Sequence, residues 1–227
     1  MHNTQKAGRG LIVILVYKNS IVCAEIARGI YKPYRLNAIS ANSHEQLIAS
    51  AQGLIQTQRI GTWIRTFLTK YQHKEHRIAL IIDEPIITQG YATTIDASAQ
   101  AYLVQNLAMP HTHIETLYLH PHEDRFLHWW SRCHYALLLQ VQLLAKAYRA
   151  NIVRVMPAFP ALFALYKTIR GTTFHPLQCA ADLAAHNYDI GACIDHQVAR
   201  QLAEGLPTNI EPHIAKTLVG AAIYEGL

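Results

Sequence analysis

The side chains that could do chemistry are concentrated in a few short stretches. Asp83 and Glu84 stand side by side before Pro85, and adjacent carboxylates can work as an acid/base pair or hold magnesium. A solvated turn at the end of a strand is the competing reading. Farther on, His111, His113, His120, His122 and His128 crowd around Glu123, Asp124, Cys133 and His134. Zinc accepts all of these ligand types. His120 and His122 would share one face of a strand, but no H-E-x-x-H and no C-x-x-C fixes a tetrahedron, so a solvated hairpin tip competes with a metal site. Ser131, Cys133 and His134 lie too close along an extended segment to make a triad by themselves, and no G-x-S-x-G elbow occurs. The turn Lys18, Asn19, Ser20 is informative for what it omits. A phosphate or metal site here would need carboxylate charge or bare backbone N–H groups, and the turn has neither acid nor glycine.

The elements that must position these groups follow from patterning. Residues 11–16 (LIVILV) and 21–26 (IVCAEI) flank the turn as paired strands, the first buried on both faces. A third extended stretch covers 34–40, completing a meander. Ser43 with Gln46 reads as a capping box, followed by Leu47, Ile48, Leu54 and Ile55 at helical spacing. A second helix is expected over 60–71 and a buried strand over 78–82 (IALII). Next come an extended segment 86–95, a helix 97–107, and extended segments 114–120 and 126–136 around a turn at 121–125, a βαββ unit. The remainder reads as helix 137–150, strand 152–156, helix 159–169 closed by Gly171, and helices 177–186, 195–204 and 212–224. The order belongs to a mixed α/β layer fold.

Composition narrows the class. With 51% apolar and 15% charged residues the chain folds rather than staying disordered. The net charge of +5 comes from 20 scattered basic residues that form no dense block, so no nucleic-acid partner is expected. Cys23, Cys133, Cys179 and Cys193 lie far apart and read as buried thiols in a reducing compartment. The basic start MHNTQKAGRG precedes an apolar run that stops at Val16 without a small-residue cleavage site, and no apolar stretch reaches 18 residues. A soluble, cytoplasmic chain is the expectation.

This arrangement resembles the PilM family of type IV pilus assembly proteins, including its short, degenerate, HofM-like or competence-associated members. The resemblance rests on the opening hairpin 11–26, strand 78–82 leading into 86–95, the βαββ insert, the helix–strand–helix block 135–171, and the small-residue helix 214–223. It implies an actin-like (ribonuclease H-like) α/β lobe with an inserted βαββ subdomain and a reduced helical second half. The implied division is 1–84 and 137–227 for the lobe and 85–136 for the insert.

Full-length members bind ATP through an Asp-x-Gly/Ser-type turn, and Lys18, Asn19 and Ser20 stand there without the aspartate. The candidate for the second phosphate turn, Asp189-Ile190-Gly191-Ala192, follows no apolar strand, so a cap or turn role is expected. Without those loops the charge stabilisation that phosphoryl transfer needs is missing. The family instead implies an adaptor with no cofactor, bound to the cytoplasmic tail of a PilN-like single-pass inner-membrane protein, and peripheral to the membrane through that partner. Tyr91, Tyr102, Leu103 and Trp129 are the expected peptide contacts, each with a competing place in the core. If Trp129 points outward, Trp130 belongs to the core. An active actin-like ATPase and a metal-binding protein built on the histidine hairpin are the alternatives.

Overall fold

The computed structural model describes residues 10–17, 20–43, 57–70, 77–83, 87–96, 100–122, 125–148 and 151–227. Strands β1 (Leu11–Tyr17), β2 (Ser20–Arg28) and β3 (Tyr34–Ser43) form the opening meander, followed by α1 (Thr57–Lys70) and β4 (Arg77–Ile82). The second sheet contributes β5 (Thr88–Thr94), α2 (Gln100–Leu107), β6 (Thr112–His122) and β7 (Arg125–His134). Then come α3 (Tyr135–Tyr148), β8 (Ile152–Pro157), α4 (Ala158–Arg170), α5 (Pro176–Ala185), α6 (Val198–Leu202), β9 (Ala203–Glu204) and α7 (Pro212–Tyr224).

The main sheet has the order β8-β4-β1-β2-β3-β9. β1 pairs antiparallel with β2 and parallel with β4, which in turn pairs parallel with β8. Both faces of β1 are buried because alternate side chains enter different cores. Leu11, Val13 and Leu15 pack among residues of α4, α5 and α7. Ile12, Ile14 and Val16 pack among residues of α1 and α3. Each such side chain contributes roughly 1.5–3 kcal/mol of burial, which explains why an uninterrupted run of β-branched and aliphatic residues occupies the centre. On one side α7 approaches α4 so closely that a Cβ on Gly220 would lie 2.2 Å from the Ala161 carbonyl oxygen.

The second sheet, order β5-β7-β6, lies in the chain between β4 and α3 and has the expected βαββ order. Its β7 turns Trp129 inward, 2% exposed and stacked on Phe159 at 4.7 Å, while Trp130 is half-buried on the opposite side beneath Arg132. The two tryptophans thus take opposite faces, with Trp129 the inner one.

Two boundaries differ from the patterns. The third strand, expected over 34–40, continues to Ser43, opposite Ser20; the helix expected after it lies outside the described residues. The helix expected over 195–204 is helical only over Val198–Leu202. Ala203 and Glu204 leave it to pair with Tyr34 and Arg35 at the edge of the main sheet. Gly205, at φ +80°, then turns the chain where a Cβ would come within 2.6 Å of the Leu36 carbonyl oxygen.

Candidate functional site

The parallel strands β1 and β4 finish at one edge of the main sheet, with Val16 beside Ile82. The Asp83 N–H extends the ladder by donating to the Val16 carbonyl at 3.0 Å. That bond sets Tyr17 and Asp83 at the carboxyl ends of the strands, where open α/β sheets place their ligands. The first turn of α7, opened by Pro212, brings His213 to the same point. Its Nε2 lies 2.8 Å from the Asp83 carboxylate, and its ring is 4.8 Å from that of Tyr17. Asp83 is only 6% exposed. The expected solvated turn is therefore corrected at Asp83: β4 carries its side chain into the wedge between β1 and α7, where water is replaced by an imidazole. Glu84 lies outside the described residues.

Asp189 closes the next wall. Its carboxylate accepts from the Gly191 N–H at 2.8 Å and the Ala192 N–H at 3.3 Å, the turn role expected for this tetrapeptide. The buried Lys216 of α7 donates to the Gly191 carbonyl at 2.8 Å and so ties this turn to the helix that carries His213. Burial holds the Lys216 ammonium below the ordinary lysine range, against the opposing pull of Asp189 and Asp195. Just before the turn, Asn187 and Tyr188 adopt φ of 52° and 62°. This left-handed pair presents the Tyr188 carbonyl to the Tyr91 hydroxyl, which donates to it at 2.7 Å. The contact joins β5 of the second sheet to the C-terminal segment, and burial pushes the Tyr91 hydroxyl well above the usual tyrosine range.

These parts enclose a cleft of about 600 Å³, walled by Tyr17, Asp83, Tyr91, Phe159, Tyr188 and His213 among others. Of the residues expected at a peptide site, Tyr91 and Trp129 both line it. Leu103 is buried on α2 and is not part of this wall. Tyr102 lies on the same helix, but its side chain is outside the described set. Ser20 begins β2 opposite Tyr17, and Lys18 and Asn19 are outside the described residues.

The chemistry of this donor set is limited. Asp83 is engaged by His213 and Asp189 by two backbone N–H groups. Among the described residues no group of three or more His, Cys, Asp and Glu side chains is placed to hold a metal ion. Among the described residues, the walls of the cleft offer aromatic faces and carboxylates that are hydrogen-bonded within the protein. His213 is the residue that sequence patterning misses. It is a polar residue at the start of a mostly apolar helix, 130 positions from its partner.

No protein-family model matches the chain, and no curated protein matches it in sequence. Among solved structures it is similar to a chain of a PilM–PilN type IV pilus biogenesis complex, with a TM-score of 0.56 at 8% identity over 70% of this chain and 50% of that one. It thus spans about half the length of that relative. The cytoplasmic domain of EpsL, an inner-membrane component of the type II secretion system of Vibrio cholerae, gives a TM-score of 0.44 at 10% identity, covering 67% of this chain and 58% of that one. RuvC of Thermus thermophilus gives 0.42 at 11% identity over 95% of each chain. With the order β8-β4-β1-β2-β3 and only β2 antiparallel to its neighbours in that core, the chain has a mixed α/β, actin-like (ribonuclease H-like) fold.

Proposed function

We propose that the protein is a non-enzymatic adaptor of a type IV pilus or competence-type assembly machine. It is cytoplasmic and peripheral to the inner membrane, and it holds the cytoplasmic tail of a PilN-like single-pass protein. Residues 1–84 and 137–227 form the actin-like lobe of this adaptor, and 85–136 its inserted subdomain. The observation that carries the reading is the cleft between the main sheet and the second sheet. Its walls are aromatic, and its acids Asp83 and Asp189 are already hydrogen-bonded within the protein. Such a surface suits the side chains of an extended peptide. The fold shared with the PilM–PilN chain supports the assignment of the machine.

Of the expected contacts Tyr91, Tyr102, Leu103 and Trp129, the two that line the cleft, Tyr91 and Trp129, are the ones proposed to meet the peptide there, and Leu103, buried on α2, is not. Tyr91 is the informative one to change, because Trp129 is buried against Phe159 and its loss would disturb the core. The test is titration with a synthetic cytoplasmic tail of a PilN-like protein, read by fluorescence anisotropy, with Tyr91→Ala beside the parent chain. Saturable binding weakened by Tyr91→Ala is expected. A rise in melting temperature with ATP and magnesium, without peptide binding, would instead identify an actin-like nucleotide binder. Stoichiometric zinc by elemental analysis would return the histidine hairpin to consideration.

A further inference from the structure

The turn between β2 and β3 carries a feature that the cleft does not use. Ile30 and Tyr31 are 75% and 90% exposed, side by side at its tip. Such a pair costs solvation in an isolated monomer, yet the turn is built to present it. The Gly29 N–H donates to the Pro33 carbonyl at 3.1 Å, and a Cβ on Gly29 would lie 2.1 Å from the Lys32 carbonyl oxygen, so the loop closes on itself. The Ile30 N–H donates to Glu204 Oε1 at 3.1 Å, and Lys32 Nζ donates to the Arg200 carbonyl. These bonds clamp the base of the tip and leave both apolar side chains pointing into solvent.

Charge surrounds them. In the hairpin register Arg28 faces Tyr34 and Arg35 faces Ala27, which puts the two arginines on opposite faces of the ribbon just behind the tip. Both are exposed. Lys32 adds a further cation. Two carboxylates stand nearby, Glu204 bonded by the Ile30 N–H and Glu25, three residues before Arg28, bonded by Asn37 Nδ2 at 3.1 Å, and the cations Arg28, Lys32 and Arg35 outnumber them.

We infer that this turn docks on an anionic phospholipid surface, with Ile30 and Tyr31 entering the headgroup region and the exposed Arg28 and Arg35 meeting lipid phosphates. An aliphatic and a tyrosine side chain at a cationic tip match the bilayer interface, where apolar atoms leave water and the phenol stays at headgroup depth. Basic residues near an anionic leaflet add attraction that salt screens. Nucleic acid is the weaker match, because the tip offers a single aromatic ring, Tyr31, beside an aliphatic side chain, whereas single-strand sites stack successive bases on several rings. The inference is independent of the peptide reading, since the assay below contains no partner protein.

The experiment is co-sedimentation of the full chain with phosphatidylcholine vesicles, with and without phosphatidylglycerol, at low and high salt. Binding only to phosphatidylglycerol vesicles, weakened by salt, is expected. The double variant Ile30→Ser/Tyr31→Ser and the double variant Arg28→Glu/Arg35→Glu should each lower the affinity about tenfold or more. Both change exposed side chains, and an unchanged melting temperature verifies that the fold is intact. Failure to sediment, equal binding to both vesicle types, or binding indifferent to both variants overturns the inference. So does tip-dependent binding of a single-stranded oligonucleotide without vesicle binding.

Discussion

His213 Nε2 lies 2.8 Å from the buried carboxylate of Asp83 across 130 residues of chain, joining the end of β4 to the first turn of α7. The pair fixes the floor of the cleft. It also occupies an acid at the edge where an actin-like fold opens toward ligand.

Removing one partner should reveal what the pair contributes. His213→Ala leaves the Asp83 carboxylate in its buried site without the imidazole, and a loss of about 2 kcal/mol is expected. Asp83→Asn keeps the shape and removes the charge, so about 1 kcal/mol is expected. Urea denaturation of both single variants and the double variant measures the coupling. Strictly additive losses would mean that the two groups do not act together.

Asp182 should govern part of the acid limb of stability. Burial pushes its carboxyl up, but hydrogen bonds from the Tyr166 hydroxyl at 2.6 Å and Gln178 Nε2 at 2.8 Å, with the Arg170 guanidinium, outweigh that and hold it below the usual carboxylate value. A lowered folded pKa means that the unfolded chain binds the proton first. The stabilisation is therefore complete above the unfolded value near pH ~4 and fades as pH falls through the folded value. Asp182→Asn should flatten this limb in denaturation curves taken at decreasing pH. An unchanged acid limb would remove Asp182 from the account.

Gly220→Ala tests the contact between α4 and α7. The new methyl would meet the Ala161 carbonyl oxygen at 2.2 Å, a backbone atom that cannot swing aside. Helix propensity favours alanine by about 1 kcal/mol, whereas overpacking costs typically 1–3 kcal/mol. A net loss of stability is expected in thermal denaturation, and a stabilised variant would show that the helices part without cost.

The thiols should be slow toward a disulfide reagent in the native state. Burial pushes Cys133, Cys179 and Cys193 up to about 11, and raises Cys23 further still. Because the thiolate is the reacting form, colour development at mildly alkaline pH should be slow and should accelerate on adding denaturant. Rapid stoichiometric labelling of Cys23 or Cys179, both buried, would contradict this packing.

By itself the sequence determined the layers and their order. The run 11–16 could satisfy its side chains only between two cores, the apolar 78–82 only as an inner strand, and the spacing of 86–136 only as a βαββ unit. These are short-range consequences of periodicity and of where glycine and proline interrupt it. The turn at Asp189 was legible for the same reason, since an aspartate bonds its own following N–H groups. What tertiary structure decided was every relationship that crosses the chain. The short strand Ala203–Glu204 replaces the end of a helix because the edge of β3 lies open beside it. Trp129 turns inward because Phe159 supplies a stacking face. Asp83 is a buried partner instead of a solvated acid because α7 delivers His213. No local pattern encodes such a pairing: hydrogen bonds and burial depend on distances in space, and the helix that closes this one begins 130 residues after β4 ends.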